Sequence, residues 1–247
     1  MAPRGAITLQ AFLAEPASRR RYWARSMLGW PLMAGALPNA AHAALVSLER
    51  AGRLGGLITQ NVDGLHQAAG QRQVLELHGS LAGVTCLRCG TPEARQAVQL
   101  RLRRENAFLL DAPARAAPDG DADLAGEPDL DGFRVPECLR CGGLLKPDVV
   151  FYGDSVPRER VATAHAMVES SAALLVVGSS LMVYSAFRFC RRARELGMPI
   201  YAINRGVTRA DDWLALKVKE DCARALPQLA DLLGAARNLQ PALRAQP

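Results

Sequence analysis

The 247-residue sequence predicts an α/β protein, a parallel β-sheet with helices on both faces and a small inserted zinc-binding module. Three observations carry this. Short runs that are apolar throughout recur along the chain, stretches with helical apolar spacing separate several of them, and two Cys-x-x-Cys pairs fall in the one segment that breaks this rhythm. Strands apolar on both faces and separated by helices belong to a parallel sheet covered on both sides.

In chain order, Asn39 reads as the N-cap of a helix ending near Gly52, with Ala41, Leu45 and Leu48 on one face. Five strand candidates follow at 57–59, 74–77, 149–151, 173–177 and 200–203, with helical stretches at 158–170 and 185–196. A further helix is expected near 92–103. Cys190, beside Phe187 and Phe189, reads as core. Residues 111–132 carry seven acidic side chains and one arginine with little to bury, and read as a mobile surface loop. The whole chain reads as one unit, with 1–80 and 146–247 forming the large domain and 81–145 the zinc module.

At 49% hydrophobic and 22% charged, the chain can bury a sizeable core. The longest strongly apolar run, 172–178, is far short of the roughly 20 residues that span a bilayer, and the first thirty residues lack a signal peptide's apolar stretch. A soluble, cytoplasmic monomer without a membrane partner is expected. The net charge of +6 comes mostly from arginine, which clusters at 19–21 and 191–194; these clusters read as solvated helix faces because no groove-reading motif accompanies the second, and nucleic acid is not the expected partner.

Cys86-x-x-Cys89-Gly90 and Cys138-x-x-Cys141-Gly142 are tight turns, each able to aim two thiolates at one ion. Four cysteines in this pattern are the usual tetrahedral zinc set, and a closed four-sulfur site leaves no position for water or substrate. One structural Zn2+ is expected. His78, shortly before the first pair, is then open to three readings: a further ligand, a packed core residue or the base of an enzyme.

In open parallel sheets ligands bind beyond the carboxyl ends of the strands. The residues there are Gln60-Asn61-Val62-Asp63, His78-Gly79, Gly178-Ser179-Ser180 and Asn204-Arg205-Gly206. Four polar or glycine-rich endings suit a phosphate-bearing, polyhydroxylated ligand, and a dinucleotide fits a Rossmann-like sheet of this kind.

"TQNVDGLHQAAG", "ELHGS", the paired cysteine knuckles, "LKPDVVFYGD", "VVGSSLMVYS" and "INRG" together resemble the sirtuins, the NAD-dependent protein deacylases. "RYWARSMLGWP" and "GVTRADD" make the resemblance closest to the class II group that includes the mitochondrial lipoamidase and ADP-ribosyltransferase sirtuin. The resemblance implies that an acyl-lysine protein substrate attacks the nicotinamide ribose of NAD, that nicotinamide leaves, and that the acyl group ends on ADP-ribose. It makes His78 the general base on a ribose hydroxyl, for which an imidazole titrating near neutrality is suited. It puts Gln60, Asn61, Val62 and Asp63 near the nicotinamide and its ribose, Gly178, Ser179 and Ser180 at the phosphates and ribose, and Asn204, Arg205 and Gly206 at the adenosine end. The backbone of Cys222 falls near the adenine; His66 packs or caps. Val149, Val150, Phe151, Tyr152 and Gly153 match the segment that pairs with the substrate peptide, the acyl-lysine passing between Val149 and Phe151. Tyr22 and Arg25 share a helix face and resemble a Tyr-x-x-Arg pair that recognises acidic acyl chains.

The pattern departs at the start. Family members open with a strand, Gly-Ala-Gly-x-Ser and an Asp-Phe-Arg or Asp-Tyr-Arg triplet; here only "RGAIT", Arg4 to Thr8, is superficially similar. Losing a central strand would leave unpaired backbone on two neighbours and an open slot, a cost above the usual margin of roughly 5–15 kcal/mol. The expectation is a longer native chain, because every later site residue is retained; the alternative is a truncated form with impaired NAD binding. Two other functions stand beside deacylation: mono-ADP-ribosyl transfer at the same site, and a non-catalytic zinc-containing binding module.

Overall fold

The computed structural model describes residues 7–112, 114–116, 122–124 and 129–235. The chain runs through α1 (Leu9–Ala14), α2 (Pro16–Ala34), α3 (Ala40–Arg50), β1 (Leu57–Thr59), α4 (Leu65–Ala68), β2 (Val74–Glu76), β3 (Gly79–Cys86), β4 (Pro92–Ala94) and α5 (Arg95–Glu105). It continues through β5 (Ala114–Ala116), β6 (Ala122–Leu124), β7 (Leu145–Val149), α6 (Arg158–Glu169), β8 (Leu174–Val177), α7 (Tyr184–Glu195), β9 (Ile200–Ile203), β10 (Leu214–Val218) and α8 (Cys222–Leu232).

These elements form two compact units, one of Met1–Ala36, Asn61–Gly64 and His78–Ser155, the other of Leu37–Gln60, Leu65–Leu77 and Val156–Pro247. The boundaries differ from those read in the sequence. Residues 1–36 and 146–155 group with the cysteine-bearing unit, because α2 buries its aromatic face in that unit's core and β7 joins that unit's sheet.

The second unit holds the parallel strands. β1 pairs with β2, and β10, β9 and β8 form a parallel sheet in that order. α3 begins where the sequence places it: Asn39 Oδ1 accepts from the amides of Ala41 (2.9 Å) and His42 (3.3 Å), and His42 Nδ1 accepts from the Asn39 amide. This is a capping box with histidine in the usual place of glutamate. Gly52, at φ +67°, ends the helix, and the Arg53 amide returns to the Leu48 carbonyl at 2.8 Å. Ala41, Ala44, Leu45 and Leu48 meet Ala225, Leu226 and Ala230 of α8 and Ile203 of β9 in one core, with Leu57, Leu175 and Val177 packed against it. Glu49 reaches from α3 to the amides of Arg72 and Gln73 and so fixes the entry to β2. Burial opposes its charge, but those two amides hold its carboxyl below the ordinary value.

The first unit is built on an antiparallel sheet in the order β4-β3-β7. Phe12, Tyr22, Trp23, Met27, Val84, Val98, Leu102 and Leu145 form its core. Arg95 is fully buried between the rings of Trp23 and Trp30, at 5.6 and 4.8 Å, and donates to Gln99 Oε1 and to Ser26 O and Oγ, tying α5 to α2. Two aromatic faces and neutral acceptors offset the desolvation of that cation.

The strand expected at 149–151 is a correction. It begins earlier, at Leu145, ends at Val149, and runs antiparallel to β3 instead of joining the parallel sheet. Pro147 is tolerated because β7 is an edge strand. The helix expected near 92–103 starts at Arg95, after β4 has paired with β3. The acidic segment is not a loose loop where it is described: β5 and β6 pair antiparallel, and Ala122 is buried. Its residues 113, 117–121 and 125–128 lie outside the described residues.

Candidate functional site

The four cysteines converge in the first unit. Their sulfur atoms all lie within 4.8 Å of one another, with Cys86 to Cys141 at 3.5 Å and Cys89 to Cys138 at 3.7 Å. Both distances exceed a disulfide's roughly 2.05 Å and are close to the edge of about 3.8 Å that a tetrahedron with Zn–S near 2.3 Å requires. The loops have the same build: Gly90 N returns to Cys86 O at 2.9 Å and Gly142 N to Cys138 O at 2.8 Å. Gly143 is the cradle, since a Cβ there would come 2.9 Å from Cys86 Sγ and 3.2 Å from Cys141 Sγ. The Thr91 hydroxyl and amide draw Cys89 down to about 6, and the Cys89 amide lowers Cys86, whereas burial pushes Cys141 up to about 12. Four thiols this close cannot all ionise without a cation, and the donor set fits one structural Zn2+. His78 is not among the clustered ligands.

In the second unit the strand ends come together. Gln60, after β1, donates from Nε2 to Ser179 Oγ at 2.9 Å, which also accepts from the Leu181 amide at 3.2 Å. Gly178, after β8, donates its amide to the Ile203 carbonyl, and a Cβ on it would come 3.3 Å from Cys222 Sγ. Gly178 therefore lets the turn after β8 lie against the first residue of α8. After β9, Asn204 Nδ2 and Lys217 Nζ both donate to the Gly206 carbonyl, while Arg205 pairs with Asp221, the N-cap of α8, at 3.0 Å. Gln60, Gly178, Ser179, Ser180, Asn204, Arg205, Gly206 and Cys222 thus share one unit.

The remaining predicted residues belong to the first unit. Leu81 N donates to Val62 O, which fixes the 61–64 loop carrying Asn61 and Asp63 beside the start of β3. Val150 N donates to the His78 carbonyl at 2.8 Å, so the backbone of His78 lies against the segment Val149, Val150, Phe151, Tyr152 and Gly153. That segment is secured on its far end, where Leu9 N donates to Tyr152 O and Gln10 Nε2 to Gly153 O. Lys146 Nζ donates to the Val149 carbonyl at 2.6 Å and sits 5.0 Å over the Phe151 ring. Tyr22 and Arg25 are both buried. Tyr22 packs edge-on against Phe151 at 5.0 Å, and Arg25 Nε donates to Ala122 O at 2.9 Å.

Sequence reasoning missed the support behind Ser180. Leu181 is buried and sits at φ +57°, the one non-glycine residue with positive φ among those described. Such a conformation costs on the order of 1–3 kcal/mol and persists only where neighbours impose it. Arg209 N donates to Ser180 O at 2.9 Å, and the Arg209 guanidinium lies 4.3 Å over Phe187. Phe187 stacks on Trp213 at 5.0 Å, and Arg194 covers Trp213 at 4.6 Å. This alternating column of cations and rings braces the turn. The clue available in the sequence was "GVTRADDW", whose arginine and tryptophan find their partners on α7.

The Sir2 family model matches residues 1–185. The chain belongs to the Sir2 family. A protein of Xanthomonas campestris pv. campestris (strain 8004) named NAD-dependent protein deacetylase is 55% identical over 220 residues, 89% of this chain and 75% of that protein. A solved structure of Sir2Tm bound to a propionylated peptide is similar with a TM-score of 0.74 and 27% identity, covering 93% of this chain and 84% of that one. A Sir2 structure with 2'-O-acetyl-ADP-ribose and deacetylated p53 peptide is similar with a TM-score of 0.72 and 27% identity, covering 93% and 85%. The fold is thus the Sir2 α/β fold with parallel sheets, and its four-cysteine cluster is suited to zinc. No helix is long and apolar enough to cross a membrane among the described residues.

Proposed function

We propose that this Sir2-family chain is an NAD-dependent protein lysine deacylase of the deacetylase and lipoamidase type, transferring the acyl group to ADP-ribose and releasing nicotinamide and free lysine. One observation carries the reading: Gln60, Ser179, Gly178, Cys222 and Asn204 gather at the strand ends of one unit in a chain 55% identical to a named NAD-dependent protein deacetylase. NAD, when bound, supplies an electrophilic ribose carbon and a leaving group. Gly178, Ser179 and Ser180 would then hold its phosphates and ribose through a turn already fixed, while Asn204, Arg205 and Gly206, with the backbone of Cys222, take the adenosine end. Gln60, Asn61, Val62 and Asp63 grip the nicotinamide side. His78 takes a proton from a ribose hydroxyl, and the segment from Val149 to Gly153 receives the peptide by strand addition. The zinc would brace the fold and take no part in the chemistry.

Nicotinamide release from an acetyl-lysine peptide tests the reading. His78→Tyr should lower turnover by about 10²–10⁴-fold, the range for general acid–base catalysis, with zinc content intact. Unchanged turnover would sink it. Mass analysis of the target separates loss of an acyl group from gain of ADP-ribose, the mark of mono-ADP-ribosyl transfer. We further propose a class II type of enzyme that acts as a cytoplasmic monomer and prefers acidic or bulky acyl chains. The contact of Tyr22 with Phe151, and the place of Arg25 on the same helix, support that preference. Equal rates on acetyl, succinyl, glutaryl and lipoyl peptides would end it.

A further inference from the structure

The two cysteine loops are the same pentapeptide, Cys-Leu-Arg-Cys-Gly, at 86–90 and 138–142. The structure sends the arginine of each copy across to the other copy's side of the cluster. Arg88 Nη1 donates to the carbonyl of Cys141 at 3.0 Å, and Arg140 Nη1 reaches Thr91 Oγ1 at 3.5 Å. Each side chain leaves its own loop; Arg88 ends on the other loop, 53 residues away, and Arg140 on the residue directly after the other, 49 residues away. Thr91 then passes the contact on, its hydroxyl lying 3.2 Å from Cys89 Sγ. The start of the Arg88 side chain also lies beside the sulfurs: its amide donates to Cys86 Sγ at 3.4 Å, and a Cβ on Gly143 would come 2.7 Å from Arg88 Cβ as well as 2.9 Å from Cys86 Sγ.

We propose that Arg88 and Arg140 are reciprocal straps that close the tetrathiolate centre, balance its charge and set how slowly it releases zinc. Four thiolates around one Zn2+ leave a net charge of about −2, and the two guanidinium groups supply about +2 beside it. Neither arginine makes an ion pair with a carboxylate among the described residues, so no such pair offsets the charge that each brings to the metal centre. The hydrogen bonds end on one ligand's own carbonyl and on the hydroxyl that contacts another ligand's sulfur. Groups so placed orient the ligands without coordinating the metal. The repeat matters because a strap on one side alone would let the other loop swing open.

The test uses the full chain loaded with zinc and follows metal transfer to a chromophoric chelator. The Arg88→Ala/Arg140→Ala double variant should release zinc about 10- to 100-fold faster or bind it that much more weakly, the usual cost of removing an outer partner, with each single variant in between. Arg88→Lys and Arg140→Lys, which keep the charge, should recover part of the loss. Salt should speed release from the parent and have less effect on the double variant. In the cobalt-substituted chain the sulfur-to-metal charge-transfer band should shift in the alanine variants, a signature that a merely structural arginine would not move. Arg103→Ala, on the exposed side of α5, is the control and should match the parent. If the double variant fails to fold, Arg88→Gln and Arg140→Gln singly carry the same measurement. Release within twofold of the parent in the double or both glutamine variants overturns the proposal, as does an equal acceleration by Arg103→Ala.

Discussion

Replacing Leu226 with alanine probes the joint between α3 and α8, on which the strand ends depend. The side chain is fully buried, and its cluster holds Ala41, Ala44, Ala225, Ala230 and Ala235 beside Leu45, Leu48 and Ile203, with Leu57, Leu175 and Val177 packed against it. Losing three carbon groups from water-free packing forfeits about 2.4 kcal/mol at about 0.8 kcal/mol each. A second term depends on whether neighbours collapse into the space, and leucine-to-alanine changes span about 2–5 kcal/mol for that reason. The five alanines of that cluster have no side chain to swing inward, so the cavity should persist and the loss should fall in the upper half, about 4 kcal/mol. At about 2–4 °C per kcal/mol for a chain of this size, the midpoint of thermal unfolding should drop by roughly 8–16 °C. Urea unfolding followed by circular dichroism and by Trp213, the tryptophan of this unit, measures it. Leu226→Met, nearly equal in volume, should cost less than about 1.5 kcal/mol. A loss of under about 2 kcal/mol for the alanine variant would refute the reasoning, because it would mean the site closes up after all.

Gly143→Ala should strip the metal centre: its Cβ meets Cys86 Sγ at 2.9 Å, and the shift needed to relieve that exceeds the roughly 0.2 Å that zinc–ligand distances tolerate. Zinc content after dialysis against chelator should fall well below stoichiometric, and full retention would count against the cradle described here. Asp211 predicts a pH effect: its side-chain bond to Lys217, then that from Thr208, lowers its carboxyl from 3.8 to about 2. The folded value lies below the unfolded one, so the stabilisation is complete above about pH 4 and disappears as pH falls through about 2. The difference in urea midpoint between the parent and Asp211→Asn should follow that course; a difference independent of pH across this window would rule the ion pair out as its source.

Two strands, β1 and β9, were legible to the residue, and so were the Asn39 cap and the clustering of the four cysteines. Their signals are local: a run apolar on both faces, a side chain that can accept two amides, a fixed cysteine spacing. The same criterion was blind to β3 and β10. In β3 burial nearly alternates and Gly79, Ser80, Ala82 and Gly83 dilute its apolar content, while β10 is a half-exposed edge interrupted by Lys217. The run 149–151 was misread because Phe151 is apolar for another reason, packing against Phe12 and Tyr22 outside any strand. Leu181 left no trace in composition, since its conformation is imposed by Arg209 and Ser179, distant or neighbouring partners that no propensity encodes.

The thread of the chain changes unit after Ala36, Gln60, Gly64, Leu77 and Ser155. Neither unit can therefore be cut out as a single uninterrupted fragment, and expressing one alone would require stitching together pieces that are distant in the gene. During synthesis every described residue of the cysteine-bearing half has been made once Ser155 has left the ribosome, while the other half waits for α8, the last helix among the described residues. A newborn chain thus passes through a stage in which the four cysteines can already meet while the parallel strands β8, β9 and β10 have not yet been made.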